Sequence, residues 1–258
     1  MKQAASHGNH ISYAGFGARA AMPTVVRQVW LRCMAVAALL ILAVGAPESA
    51  RAQRHYVPHV HIGAHAGMSM SRQSFFPKVQ EKSLNGMMIG VSFRYAEERH
   101  VGLVAELNLE QRGWLEDFEE APLSYQRRLT YIELPLMTHI FFGSRTVKCF
   151  INLGPQVGYM IGDKVTSNFD YAKAPDVPGF PNNRRYEQMD MKVSNRFDYG
   201  ITAGMGVEFI VKRRHCIQLQ GRYYYGLGNI FPSSKSDTFS ASRGSSIIVT
   251  LGYMFRLK

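Results

Sequence analysis

Eight segments of alternating apolar and polar residues constrain the fold of this 258-residue chain more than any other feature. A period of two places successive side chains on opposite faces of a β-strand, so each segment has one apolar face and one mixed face. The segments lie at residues 60–69, 87–95, 101–110, 128–142, 149–159, 197–209, 217–225 and 246–256. The alternation therefore predicts an all-β protein with eight strands.

The lengths of the segments and of their connections favour a membrane barrel. Each segment has about ten residues, the length that a tilted strand needs to cross a bilayer, and bacterial single-chain barrels have an even number of strands. Short connections are predicted after the second, fourth and sixth strands. Longer ones are predicted after the others, and the longest lies at residues 162–194. Such an alternation is typical of an outer-membrane barrel with both termini in the periplasm.

The polarity of the two faces separates this fold from soluble alternatives. One face is continuously apolar and carries aromatic residues near the strand ends, which suits lipid contact. A soluble lipocalin-like barrel would have an apolar lumen instead. A soluble sandwich would bury the same apolar face, so alternation alone does not exclude it. We expect an eight-stranded antiparallel up-and-down transmembrane β-barrel with a filled polar lumen.

The N-terminal region has the parts of a secretory signal peptide. An apolar run of about 14 residues, at 33–46, follows two arginines and precedes the string Ala50-Arg51-Ala52. The run is shorter than the roughly 20 residues of a transmembrane helix. We expect cleavage between Ala52 and Gln53. The chain then divides into a cleaved extension and an outer-membrane barrel domain, at residues 1–52 and 53–258.

The net charge of +11 would first suggest a nucleic-acid partner. The predicted leader carries five basic residues and one acidic residue, so the mature chain carries +7. This excess is scattered in short stretches and forms no stripe on one face. Nucleic acid is therefore not an expected partner.

Charged residues on the mixed face should fill the lumen and pair with one another, because an unpaired buried charge is costly. The predicted lumen charge network comprises Arg94, Glu106, Glu133, Glu208, Arg222 and Arg256. Glu106 and Glu133 should lie near mid-height on neighbouring strands, with Arg222 across the lumen. We predict that Arg222 bridges both carboxylates. Such a plug leaves a structural barrel without an open pore.

Other candidate sites have simpler structural explanations. Three histidines at 59–65 share the inward face, but the stretch lacks a carboxylate or thiolate at matching spacing, so no metal site is predicted. His139 and His215 have no evident serine and acid partners for a hydrolase triad. Cys149 and Cys216 should face opposite sides of non-adjacent strands, which argues against a disulfide. We expect neither enzymatic activity nor a cofactor.

Seven strings follow one another along the mature chain: Ala105-Glu106-Leu107, Gln111-Arg112-Gly113-Trp114, Tyr131-Ile132-Glu133-Leu134-Pro135-Leu136, Asn152-Leu153-Gly154-Pro155, Asn195-Arg196-Phe197-Asp198-Tyr199-Gly200, Gly221-Arg222-Tyr223-Tyr224-Tyr225-Gly226-Leu227 and Gly252-Tyr253-Met254-Phe255. Together they resemble the PorT family of outer-membrane barrels of Bacteroidota-type bacteria. The resemblance covers essentially the whole mature chain.

The resemblance implies an accessory component of the type IX protein secretion machinery, with other components of that machinery as partners. It also implies contact with outer-membrane lipid and with the barrel assembly machinery, for which the terminal aromatic signal is set back to Phe255. Since a filled barrel cannot conduct folded cargo, the loops or turns should contact partners. The alternatives are a generic structural or adhesive barrel without a secretion role, and a barrel enzyme or small channel.

Overall fold

The computed structural model describes residues 59–96, 100–118, 121–181, 184–233 and 237–257. Within them, eight strands close into a barrel in which each strand pairs antiparallel with its sequence neighbours and β1 pairs with β8. The predicted up-and-down barrel is confirmed. The strands are β1 (His59–Phe76), β2 (Glu81–Ala96), β3 (Val101–Glu116), β4 (Tyr125–Gly143), β5 (Val147–Ser167), β6 (Phe197–Val211), β7 (His215–Gly226) and β8 (Ala241–Arg256).

Among the described residues, helices occur only in the connection between β5 and β6. This connection contains a short 3-10 helix, Tyr171–Asp176, and a single turn of α-helix, α1 (Glu187–Asp190). No helix in the described part of the chain is long and apolar enough to cross a membrane. The predicted leader and the cleavage site between Ala52 and Gln53 lie outside the described residues and stay predictions.

The strands are longer than the alternation predicted, with 12 to 21 residues each. The extra length lies mainly at one end of the barrel, which we call the loop end. The opposite end, called the turn end, carries the short connections at 97–100, 144–146 and 212–214. The long connection predicted between β1 and β2 is wrong, because most of it is strand and only residues 77–80 connect the two.

An apolar band covers the outside of the barrel. Its centre is aliphatic, and Leu251 on β8 leaves 61% of its surface exposed. Exposed aromatic side chains border the band at the turn end (Phe93, Phe142, Phe209 and Tyr253) and at the loop end (Tyr159, Phe197, Tyr199, Tyr223 and Tyr225). This is the arrangement expected of a surface that contacts hydrocarbon between two aromatic girdles.

The polarity of the lumen reverses with height. At the level of the apolar band, the inward side chains are mostly polar or charged. Towards the loop end they become apolar and join residues of the connections in one buried cluster. This cluster, called the loop cap, contains Phe75, Val79, Trp114, Phe118, Tyr125, Leu129, Tyr131, Met160, Ala174, Met189, Ile230, Phe231 and Phe239.

The prediction of a polar lumen therefore holds for the part inside the apolar band and fails beyond it. Outward residues beyond the band are mostly polar, among them Arg72, Lys82 and Arg243, although Phe76 is also exposed there. That part of the wall stands in water, so its inner face forms a core like that of a soluble protein. The alternation of apolar and polar residues is lost where the wall leaves the apolar band. The strands predicted from this alternation are therefore shorter than those of the structure.

We expect Leu251→Arg to lower the free energy of unfolding by about 2–4 kcal/mol, because the substitution places a charge at the middle of the apolar band. Thr166→Arg is the matched control, since Thr166 is exposed on β5 beyond the band. Urea unfolding in lipid vesicles measures both, with Trp114 as the probe because it is the only tryptophan after residue 52. Equal losses in the two variants would contradict the position of the band.

Candidate functional site

Inward-facing charges form three layers along the lumen, from the turn end to the loop end. In the lower layer, Arg94 on β2 lies across the barrel from Glu208 on β6, with 2.6 Å between Arg94 Nη1 and Glu208 Oε2. Gln218 donates to the same oxygen over 2.9 Å. Both members of the pair are buried, so the lower layer is a desolvated ion pair.

The middle layer joins β7 to β3. Arg222 Nη2 lies 2.9 Å and 2.7 Å from the two carboxylate oxygens of Glu106. Asn108 donates to Glu106 over 3.0 Å, and His65 Nε2 lies 3.0 Å from Asn108 Oδ1. The second ring nitrogen of His65 lies 2.9 Å from the hydroxyl of Ser92. Residues from four strands thus hold one carboxylate in place.

The upper layer gathers three carboxylates around Arg112 on β3. The guanidinium donates to Glu133 on β4 and, over 3.0 Å, to Asp198 on β6. Glu110 Oε2 lies 3.7 Å from Arg112 Nε. All four side chains are buried. One guanidinium therefore faces three carboxylates in a desolvated layer.

Two tyrosine rings complete the upper layer. The guanidinium carbon of Arg112 lies 4.3 Å from the ring centroid of Tyr131 and 4.5 Å from that of Tyr224, which is cation–π geometry. The Tyr224 hydroxyl donates to Asp198 over 2.9 Å, and Gln156 donates to Glu133 over 2.8 Å. The aromatic faces and the hydrogen bonds fix the orientation of the cluster.

The predicted bridge from Arg222 to two carboxylates is half wrong. Arg222 binds Glu106, but Glu133 binds Arg112. The register explains the difference, because Glu133 pairs with Asn108 and so lies two residues above Glu106 along β3. Arg112 lies an even number of residues from Glu106 on β3, so both side chains face the lumen. Its role was missed because the third strand was predicted to end at residue 110.

Arg256 belongs to none of the three layers. It is the last residue of β8, at the turn-end rim, and its guanidinium donates to a ring nitrogen of His59. Both residues line an open cavity of about 610 Å³ at the turn end. The prediction that Arg256 joins the carboxylates of the lumen is therefore wrong, since its position at the strand end takes it to the mouth.

Histidines and cysteines of the described residues form structural contacts. His139 is buried with its Nδ1 2.7 Å from Asn152 Oδ1, and His215 Nδ1 lies 2.6 Å from the Tyr253 hydroxyl. No group of three His, Cys, Asp or Glu side chains among these residues is placed to hold a metal ion. As predicted, Cys149 is exposed and Cys216 is buried, and both are free thiols.

Enclosed space in the lumen is small. The cavity beside Arg112 and Asp198 has a volume of about 10 Å³, and that beside Arg94 and Glu208 has about 40 Å³. A single water needs about 10–15 Å³ of such volume. Side chains therefore fill the upper level, and the lower level has room for only a few waters, as expected for eight strands.

Arg127 ties the loop cap to the barrel wall. It makes a bidentate contact with Asp163 over 2.9 Å and 2.6 Å and donates to the carbonyl of Met191 over 2.7 Å. The Tyr125 hydroxyl donates to the carbonyl of Met189 over 2.8 Å. Burial raises the pKa of Tyr125, so its hydroxyl keeps the proton that it donates.

A second anchor of the loop cap is centred on Glu116. Its carboxylate accepts from Trp114 Nε1 over 3.0 Å, from Gln188 over 3.1 Å and from Arg184 over 2.9 Å. Arg184 also donates to the carbonyls of Gln80 and Asp117. The connection between β5 and β6 is thus folded onto the barrel, which the sequence did not reveal because its partners are distant in the chain.

Five of the strings that resemble the PorT family supply the middle and upper layers. Glu106, Arg112, Glu133, Asp198 and Arg222 each lie in a different string. Tyr131 and Tyr224, from two of the same strings, stack on Arg112. The strings that carry the resemblance therefore include the residues that build these two layers.

The described fold corresponds to a known family. A family model described as outer membrane protein beta-barrel domain matches residues 51–232. The chain belongs to this family. Membership agrees with the apolar band and gives the protein an outer-membrane location. No curated protein matches the chain.

Solved outer-membrane barrels share the fold of this family member. OprG from Pseudomonas aeruginosa is 9% identical with a TM-score of 0.50, over 79% of this chain and 97% of that one. Ail of Yersinia pestis, in complex with the heparin analogue sucrose octasulfate, is 13% identical with a TM-score of 0.37, over 76% and 99%. The outer membrane enzyme PagL is 11% identical with a TM-score of 0.36, over 74% and 97%. The likeness to OprG shows the fold alone.

We expect Arg222→Met to lower the free energy of unfolding by about 3–5 kcal/mol, because it leaves the Glu106 carboxylate buried without its cation. The double variant Arg222→Met/Glu106→Gln should recover more than half of the loss, since no charge is then unpaired. Urea unfolding followed by Trp114 fluorescence measures both. A double variant as unstable as the single one would show that the pair acts only through packing.

Glu110→Gln is expected to raise the free energy of unfolding by about 1–3 kcal/mol. Both carboxylate oxygens of Glu110 are buried, and neither has a hydrogen-bond partner among the residues that the structure describes. The layer already has an excess of negative charge, since one arginine faces three carboxylates. Glu116→Gln is the control and should be destabilising, because the Glu116 carboxylate accepts from three donors. Destabilisation by Glu110→Gln in the same unfolding assay would contradict the excess charge.

Proposed function

We propose that the protein is a non-enzymatic, non-conducting anchor in the outer membrane and an accessory component of the type IX secretion machinery. The observation that carries the anchor role is the combination of a side-chain-filled lumen with a loop cap tied down by Arg127 and Glu116. Such a barrel offers a rigid surface to a partner and no passage to cargo. The secretion role rests on the resemblance to the PorT family.

The proposed orientation places the loop end outside the cell and both termini in the periplasm. Long extracellular loops and short periplasmic turns are the rule in bacterial outer-membrane barrels. The contrast between the connection at 168–196 and the three-residue connections at 144–146 and 212–214 supports this orientation. Partners of the secretion machinery would then meet either the loop cap or the turn-end mouth.

The second candidate is a generic structural or adhesive barrel without a secretion role. It is favoured by the finding that the charged residues of the PorT-like strings, such as Arg112 and Glu133, pair inside the lumen and not at the exposed ends. Residues that fill a lumen serve any barrel of this size. The two candidates therefore differ in what the exposed ends contact and not in how the barrel is built.

We expect deletion of the gene in its own organism to retain secreted cargo in the periplasm, because the machinery would lose an outer-membrane component. Quantitative proteomics of the medium and the periplasm measures this. Re-expression of the wild-type chain should restore secretion, and Ser74→Arg, at an exposed outward position on β1 beyond the band, is the matched control. A normal secretome after deletion would contradict the secretion role and favour the generic barrel.

A further inference from the structure

A polar groove lies on the outer face of the barrel, across β3, β4 and β5. Its volume is about 470 Å³. The groove is lined by Gln111, Gln126, Arg128, Thr130, Gly162, Asp163, Lys164 and Thr166. Apart from Asp163, which Arg127 holds in the anchor of the loop cap, its lining residues belong neither to the lumen network nor to the loop cap.

The groove begins where the apolar band ends. Ile132 and Tyr159, the last apolar pair of β4 and β5 on this side, pair with each other in the sheet. Two residues farther towards the loop end, Thr130 pairs with Gly162, and Arg128 then pairs with Lys164. This height corresponds to the headgroup region of one leaflet, next to the hydrocarbon. A ligand in the groove can therefore be anchored in the bilayer.

Two cations face each other in the groove without a carboxylate between them. Arg128 and Lys164 are directly opposite on neighbouring strands, a placement that like charges disfavour. Arg128 donates to the side-chain oxygen of Gln111 over 2.8 Å, and neither cation forms an ion pair within the described part of the chain. Asp163 is the one acid in the lining, and Arg127 binds both of its oxygens.

We propose that this groove binds the phosphorylated saccharide headgroup of an outer-leaflet glycolipid. A phosphate between Arg128 and Lys164 would relieve their mutual repulsion and accept charge-assisted hydrogen bonds. Thr130 and Thr166 supply hydroxyls that can hydrogen-bond to sugar hydroxyls. Gln126, whose side-chain oxygen is placed to accept from Arg128, supplies an amide N–H donor. The inference rests on the proposed orientation, with the loop end outside, and is independent of the secretion role.

The lining distinguishes a glycolipid from other anions. A free phosphate ion would occupy the space between the two cations and leave most of a 470 Å³ groove unused. A phospholipid such as phosphatidylglycerol offers a phosphate but few hydroxyls for the amide and threonine side chains. A phosphorylated sugar supplies both groups at once, on a lipid already present at this height.

The test uses the mature protein refolded in vesicles of phosphatidylethanolamine with a small fraction of diphosphorylated lipopolysaccharide. We expect the glycolipid to co-purify with the wild-type protein, and Arg128→Gln/Lys164→Gln to reduce the bound amount about tenfold or more, as loss of two charge-assisted hydrogen bonds implies. Arg72→Gln/Arg243→Gln is the matched control, because it removes two outward cations beyond the band on β1 and β8. Heat-modifiability on a gel checks that every variant is folded.

Three comparisons complete the experiment. Lipopolysaccharide stripped of its phosphates should bind no better to the wild-type protein than to the double variant. Millimolar inorganic phosphate should not displace the glycolipid, and phosphatidylglycerol in its place should not be enriched. Equal retention by the folded double variant, equal retention of the stripped lipid, displacement by free phosphate, or equal enrichment of phosphatidylglycerol would each overturn the proposal. None of these outcomes bears on secretion.

Discussion

Closure of the sheet between β1 and β8 is the constraint on which the rest of the structure depends. Hydrocarbon offers no hydrogen-bond partners, so a strand that crosses it must pair on both edges. Eight strands are enough to close the ring, and they leave an interior that side chains fill. The charges on the inner face are consequently buried, and each must find its partner inside. The pairs Arg94–Glu208 and Arg222–Glu106 meet this requirement. The upper layer meets it only in part, because Arg112 faces three carboxylates and Glu110 has no hydrogen-bond partner among the described residues.

The same ring has to serve two surroundings. Inside the membrane it is apolar outside and charged within, whereas beyond the membrane it is polar outside and apolar within. Arg112 and Tyr131 lie at the boundary between the charged part of the lumen and the apolar loop cap. Arg112 pairs with the carboxylates on one side, and Tyr131 belongs to the loop cap on the other. The exposed ends carry whatever recognition the protein performs, because the interior is already occupied by its own side chains.

Much of the membrane-level structure could be predicted from the sequence, and little of the part beyond it. Alternation identified the eight strands and predicted that Arg94, Glu106, Glu208 and Arg222 face the lumen. It could do so because lipid-facing and lumen-facing residues differ strongly in polarity. The partner of Glu133 could not be found, since it depends on a register between strands that no single strand encodes. The loop cap was missed because the alternation loses its meaning once the outer face meets water.

Burial of Trp114 and its neighbours beyond the apolar band has a consequence for biogenesis. In the proposed orientation, with the loop end outside the cell, every residue of the loop cap would have to be carried across the bilayer before the cap can form. The cap can assemble only after translocation, and its buried core then opposes a return of the strands. The packed aromatic side chains of the loop cap would then prevent the inserted strands from sliding back across the membrane. Insertion would be irreversible because the membrane-spanning part enters first and the loop cap folds afterwards.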